Sequence, residues 1–517
     1  MLIDFAAGPD LSAVPRDVLI VGVGAVGLTM AVALARAGRR VLLLEAGPVV
    51  PGKSSQAYFD AASQSGRRLD GLTLGRFRAV GGTTNFWGGQ LVRFDEVVFE
   101  RRPWVGDAGW PIDRATLDPW YDQAAALLGL DEAMLDDQAV WQRLRLPPPR
   151  GSDAVQPFIS RWLREPNLAR LFSSEMAGNS NLVLVHSAPV VGLAGSNGDV
   201  RGVVLAGRQV ISAPFTVLAN GTVEIARLLQ LPFADGSVPP WHASPWLGRG
   251  FMDHLDCDAG RILPLDKQLF HSTFDNVFLD GFKYSPRLKL AQSVQSSEGL
   301  LQSGAYIDFV SSMDEHIANL KILVRGLGRG RLAESLAALP RSLAAMRFVV
   351  PMALRYLRHK RMYNLADRGI ILRLTTEQRP LMTSRVTLRD ECDDLGMPLV
   401  DVDWRADHAT LETMARFAEH AAKYLADQGL ATVSLDSRLL ARDPAFLDGA
   451  DDANHHMGTA RMSHDIQDGV VDAELAVHMT RNLFVAGAAV YPTTGFANPT
   501  FTAIALGLRL ADKLRHG

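Results

Sequence analysis

Three glycines, in Gly22-Val23-Gly24-Ala25-Val26-Gly27, follow a short β-branched run and open an Ala- and Leu-rich stretch. Their spacing suits a dinucleotide pyrophosphate. The first glycine permits a tight turn, the second lets backbone approach the pyrophosphate, and the third lets helix and strand pack closely. The anion would sit at the helix N-terminus, where free N–H groups and the dipole favour negative charge. Glu45, at the end of the next apolar run, can accept hydrogen bonds from ribose hydroxyls and would repel the 2′-phosphate of NADP. The motif itself leaves NAD and FAD open. A second Gly-rich turn, Gly81-Gly82-Thr83-Thr84-Asn85-Phe86-Trp87-Gly88-Gly89, argues for the larger cofactor, with a second backbone approach near an isoalloxazine ring. Proton chemistry needs a group such as histidine, whose pKa lies near working pH. By spacing alone, His455 reads as a loop histidine and Asn498-Pro499 as a turn.

The elements around these residues follow from pattern. Residues 18–21 and 41–44 are continuous apolar runs, as buried parallel strands require. Residues 28–37 read as a helix ended by Gly38, which completes a βαβ unit. Residues 118–128 read as helical. Between 181 and 219, short alternating runs punctuated by Gly and Asn predict a small β-meander returning to the main sheet, and Asn220-Gly221 opens a helix through 229. The pattern predicts an α/β protein: a Rossmann-type domain (14–103, 180–256 and 450–517) with an inserted α+β substrate domain (104–179 and 257–449). Residues 483–514 return to strand, Gly turn and Ala-rich helix and close the first domain.

Composition narrows the function. The chain has 517 residues, enough for about three domain-sized units. Hydrophobic residues make up 47% and charged residues 21%, which excludes a fibrous or mostly disordered chain. A net charge of −3 argues against nucleic acid as a partner. Two cysteines, Cys257 and Cys392, cannot build a disulfide framework or a Cys-rich metal site, so no metal is expected. No run approaches the ~18 apolar residues of a membrane span, and the early apolar stretch reads as strand and turn, not a signal peptide; the expected location is cytoplasmic. Residues 325–361 hold nine basic side chains against one acid, with leucines at helical spacing. They read as short amphipathic helices with a solvated face; an interfacial anchor or a docking surface for an anionic partner, peripheral to the membrane, is the sharper alternative.

Four sets of residues together resemble the glucose–methanol–choline (GMC) oxidoreductase family. They are the first βαβ with Gly22, Gly24, Gly27 and Glu45; Gly81-Gly82-Thr83 through Trp87-Gly88-Gly89; His455-His456-Met457-Gly458-Thr459-Ala460-Arg461-Met462; and Gly495-Phe496-Ala497-Asn498-Pro499-Thr500. Lesser matches are Gly109-Trp110-Pro111, Asn220-Gly221 with Glu224 to Leu228, Gly248-Arg249 with Asp253-His254, and Glu377-Gln378 with Ser384-Arg385-Val386. They occur in family order over nearly the whole chain, and the C-terminal set looks most like the pyranose oxidase and bacterial sugar and glycoside branch.

The resemblance implies FAD and oxidation of a CH–OH group, on a sugar or glycoside or, alternatively, an aryl or aliphatic alcohol. A redox-silent hydroxynitrile-lyase-like activity is the reading from a different class. It implies His455 as the base, with hydride passing to flavin N5, and Asn498 as the residue that positions the alcohol oxygen; His456 would point elsewhere. It implies a cofactor set of Gly22, Gly24, Ala25, Val26, Gly27, Glu45, Gly81, Gly82, Thr83, Asn85, Phe86, Trp87, Gly88, Val191, Asn220, Gly221, Gly487, Ala488, Asn498, Pro499 and Thr500. Some members of the branch tether flavin through a histidine just before the tryptophan of the second Gly-rich turn. Phe86 stands there, so FAD is expected to be non-covalent. The electron acceptor implied is oxygen, a quinone or a redox protein.

Overall fold

A computed structural model describes residues 1–106, 109–130, 136–144, 148–196, 198–312, 353–357 and 363–516. The basic segment 325–361 thus lies almost wholly outside the described residues. A six-stranded parallel sheet forms one half, in the order Leu2–Asp4, Leu182–His186, Val41–Leu44, Val18–Val21, Phe215–Leu218, Leu483–Val485. Strands Val18–Val21 and Val41–Leu44 are buried along their whole length, which is why they read as unbroken apolar runs. Helix Ala25–Arg36 crosses from Val18–Val21 to Val41–Leu44 and packs on the terminal helix Pro499–His516. The turn between strand and helix requires glycine twice. Gly22 has φ 101°, and a Cβ there would meet Ala219 O at 2.6 Å. A Cβ on Gly27 would meet Gly22 O at 2.0 Å. Of the runs expected as a meander between 181 and 219, Val190–Ser196 and Asp199–Leu205 form, with Val210–Ser212, a three-stranded sheet, whereas Leu182–His186 and Phe215–Leu218 join the parallel sheet itself.

The other half is a nine-stranded sheet. Strands Leu255–Pro264, Gly369–Thr376, Ser303–Val310, Phe282–Leu290 and Val155–Trp162 are consecutive neighbours in it. One face packs against the long helix His408–Asp427 through Leu255, Cys257, Leu288, Ala305, Leu372 and Leu374. The opposite face looks toward the parallel sheet's loops.

Helix Arg114–Leu127, assigned by pattern to the substrate domain, lies on the terminal helix of the first. Tyr121 Oη and Thr502 Oγ1 are 2.6 Å apart, and Tyr121 packs on Phe501 at 5.1 Å. In the other direction, Gln90–Leu91 leaves the first domain's segment and pairs with Val155–Trp162. Sequence periodicity cannot see such crossings, because a buried helix face looks the same whichever domain covers it. Cys257 and Cys392 are both free thiols. Among the described residues, no cluster of His, Cys, Asp and Glu could hold a metal, and no helix is long and apolar enough to cross a membrane.

Candidate active site

The loop that carries His455 is tied down by a buried carboxylate. Asp253 accepts hydrogen bonds from the backbone N–H of Ala453, His254 and His455, the last at 2.9 and 3.0 Å. Burial, with Asp452 nearby, pushes the Asp253 carboxyl well above its ordinary range, and these N–H groups oppose the rise. Paired backbone bonds between Met252 and Met457 fix the two segments side by side. The loop that carries Asn498 is held by a second buried acid, Glu377, which accepts from Gly495 N at 2.9 Å. Two loops 43 residues apart in sequence are thereby brought to one point: Asn498 Nδ2 lies 2.9 Å from His455 Nε2.

A third residue completes the contact. His254, fully buried, places its Nδ1 2.9 Å from His455 Nδ1, with the rings edge to face. Burial drives the His455 pKa well below 6.5, and His254 lowers it further. His254 is lowered to about 4 by burial, with the Gly495 backbone pulling the other way. Both rings are therefore neutral at neutral pH, and the two facing Nδ1 atoms share one hydrogen. With the Asn498 amide donating to His455 Nε2, His455 carries its hydrogen on Nδ1 and donates it to His254. The reactive Nε2 is left unprotonated at the junction of the cavities, its lone pair taken by the Asn498 amide in the free protein.

His455 and Asn498 sit where two cavities meet. The larger, about 500 Å³, runs past Gly22, Gly24, Ala25, Val26, Glu45, Gly82, Thr83, Phe86, Trp87, Gly88, Asn220, Gly221, Gly487, Ala488, Pro499 and Thr500. Three helix N-termini open into it: Ala25–Arg36, Thr222–Leu229 and Pro499–His516. Such ends favour an anion. Asn220 Oδ1 is buried there without a partner. Glu45 lies at one end, accepting from Gly47 N and Val23 N, and burial raises it to about 7. A trough with anion-favouring ends, an acid at one end and an imidazole–amide pair at the other fits an elongated, doubly charged dinucleotide such as FAD.

Four residues of the expected set do not line this trough. Gly27 acts through helix packing, as its distance to Gly22 O requires. Gly81 and Asn85 shape the second turn from behind, Asn85 Nδ2 donating to Val80 O and Gly82 O. Val191 lies outside the lining; its neighbour Val190 takes the place, as strand alternation allows only one of the two to face the cavity. His456 also lines the trough, rather than only pointing away: its ring packs 5.6 Å from Phe251, and burial lowers its pKa to about 3. Pattern reading missed Tyr58, Arg76 and Arg78, which line the trough from a stretch without periodicity. It also left His254 without a role. The one available signal was its place next to an acid in Asp253-His254.

Trp87 lines the trough, and its indole N–H donates to Pro166 O. Trp87→Ala should therefore lower the flavin content of purified protein and raise the Kd for added FAD, leaving the chemistry of the loaded fraction near normal. An unchanged flavin content would remove Trp87 from cofactor binding.

Residues 17–241 match the family model described as FAD dependent oxidoreductase, and residues 380–507 match the model described as GMC oxidoreductase. The 6'''-hydroxyparomomycin C oxidase of Streptomyces lividus is 29% identical over 154 residues, 29% of this chain and 26% of that protein, so the matched stretch spans about a quarter of its length. The 2-methyl-1,2-propanediol dehydrogenase of Mycolicibacterium austroafricanum is 23% identical over 97% of this chain and 95% of its own. Among solved structures, pyridoxine 4-oxidase from Mesorbium loti superposes with a TM-score of 0.54 over 97% of this chain and 100% of that one, at 19% identity. This last likeness concerns the fold.

Proposed function

We propose that this chain, an FAD-dependent oxidoreductase of GMC type, oxidises a CH–OH group with His455 taking the proton and Asn498 holding the alcohol oxygen. The observation that carries the reading is the 2.9 Å contact between His455 Nε2 and Asn498 Nδ2 at the junction of the two cavities. FAD, when bound, supplies the acceptor for the two electrons and hydrogen leaving the carbinol carbon. The chain supplies the rest. Gly22 to Val26 and the helix N-termini hold the diphosphate, and Glu45 takes ribose hydroxyls. Neutral His455 accepts the alcohol proton at Nε2. The Asn498 amide, which bonds that nitrogen in the free protein, turns its hydrogen to the substrate oxygen and fixes the carbon's position.

The substrate class we favour is a sugar, glycoside or related polyol. The polar second cavity supports this, as does the resemblance of the C-terminal motifs to the sugar-oxidising branch. Incubating the protein with a panel of sugars, glycosides and simple alcohols, with a dye as acceptor, should yield an aldehyde, ketone or lactone from a polyol. The absence of a carbonyl product from every alcohol would sink the proposal.

FAD is held without a covalent bond. Phe86, which stands at the tethering position, has no nucleophile; its ring stacks on Phe77 at 5.6 Å instead. Acid precipitation should leave all the flavin in the supernatant. Yellow colour retained in the washed pellet would contradict this.

A further inference from the structure

The second cavity, about 360 Å³, opens from His455 and Asn498 onto the polar face of the nine-stranded sheet. Strand alternation gives this face its character. Leu255, Cys257 and Leu288 enter the core on one side, so Asp256 and Arg287 stand on the other. Ser160, Tyr306 and Thr375 line the same wall. The Arg287 guanidinium lies between two rings, 5.3 Å from Trp162 and 4.8 Å from Tyr306. Arg287 Nε and Asp256 Oδ1 are both buried with no hydrogen-bond partner. Burial lowers the guanidinium to about 10 and raises the Asp256 carboxyl, with Thr375, Arg373 and Arg287 opposing the rise in Asp256. Most buried donors and acceptors in folded proteins are satisfied; here one unpartnered donor and one unpartnered acceptor line the same cavity, where a single ligand would meet both.

We propose that this chamber is a polyol subsite, in which Arg287 donates and Asp256 accepts hydrogen bonds with hydroxyls of an uncharged polyhydroxylated substrate whose reacting hydroxyl lies at His455 and Asn498. The inference rests on the alcohol-oxidising reading above. The occupant is uncharged because the chamber holds both signs: Asp256 and Asp452 oppose an anion, while Arg287, with Arg373 3.8 Å from Asp256, opposes a cation. It carries several hydroxyls because a monohydric alcohol would leave both orphaned atoms desolvated and unpaired. A site built to bond hydroxyls rejects analogues that lack them strongly.

The test uses the FAD-loaded protein, wild type, Asp256→Asn and Arg287→Met, each checked for an unchanged flavin spectrum. Asp256→Asn keeps the side chain's shape should Arg287→Met fail to fold. Substrate probes are hexoses, methyl glycosides and linear polyols against 1-butanol and benzyl alcohol. Binding is measured by calorimetry and flavin reduction by anaerobic mixing. In the wild type, at least one polyol should reduce the flavin with a kcat/KM more than 10-fold above either monohydric alcohol. Each variant should lose at least 10-fold in polyol affinity, mainly through KM, with the monohydric alcohols changed less than 3-fold. Monohydric alcohols reducing the wild type as well as any polyol would overturn the subsite and leave alcohol oxidation standing. Equal losses for both classes in Asp256→Asn would do the same. Polyols that bind, and are lost in the variants, without reducing the flavin would support the subsite and sink the oxidation reading.

Discussion

His455→Ala should slow flavin reduction by an alcohol on the order of 10²–10⁴-fold while leaving FAD bound. His455 Nε2 is the basic lone pair at the junction of the cavities, and the neighbouring groups leave no substitute. His254 uses Nδ1 on His455 itself. His456 packs against Phe251, and it is His455, not His456, that meets Asn498. Asn498 has no basic nitrogen. The residual rate then comes from positioning alone. Flavin content should hold, because the diphosphate end of the trough lies at Gly22 to Val26, away from the substituted ring. Stopped-flow absorbance under anaerobic conditions reads both quantities in one sample. Reduction at a near-normal rate would remove His455 from the mechanism.

The second large effect concerns the fold beneath the site. Arg102 and Glu377 form a bidentate ion pair, 2.8 and 2.6 Å, with side chains 1% and 0% exposed. Glu377 also accepts from Gln302 N and Gly495 N, both at 2.9 Å. Burial raises the Glu377 pKa, but Arg102 and these N–H groups outweigh it, so the carboxyl titrates below its usual range. The pair joins a loop of the first domain, the end of strand Gly369–Thr376 and the Asn498 loop. Removing one partner leaves the other charge buried and alone, at a cost of about 3–5 kcal/mol. Arg102→Met should therefore lower Tm sharply, and any folded protein should reduce its flavin more slowly because Gly495 and Asn498 lose their anchor. A melting curve superposable on the wild type's would contradict the assignment. Because the folded pKa is depressed, this stabilisation is present at neutral pH and is lost as pH falls through the folded pKa.

Much of the first domain follows from short-range pattern. Gly22, Gly24 and Gly27 between two apolar runs allow few arrangements besides strand, turn and helix, and the parallel sheet places them as expected. The substrate half is harder, because its site depends on pairings between distant strands. Asp256 and Arg287 are single charged residues in alternating strands. Their shared wall arises only when Leu255–Pro264 and Phe282–Leu290 take places in one sheet, separated by Ser303–Val310 and Gly369–Thr376. His254 is a similar case. Nothing in its local sequence tells that its ring meets His455, 201 residues away. His455 and Asn498 are legible only through family motifs, since each in isolation reads as an ordinary loop residue.

The account turns on where the isoalloxazine lies relative to one imidazole and one amide. A crystal structure of the FAD-loaded protein with an unreactive polyol bound would measure this directly. The account predicts a substrate hydroxyl within about 2.6–3.2 Å of both His455 Nε2 and the Asn498 amide, with its carbon against the flavin ring. A flavin ring seated away from this pair, or a polyol bound with its hydroxyls out of their reach, would contradict it.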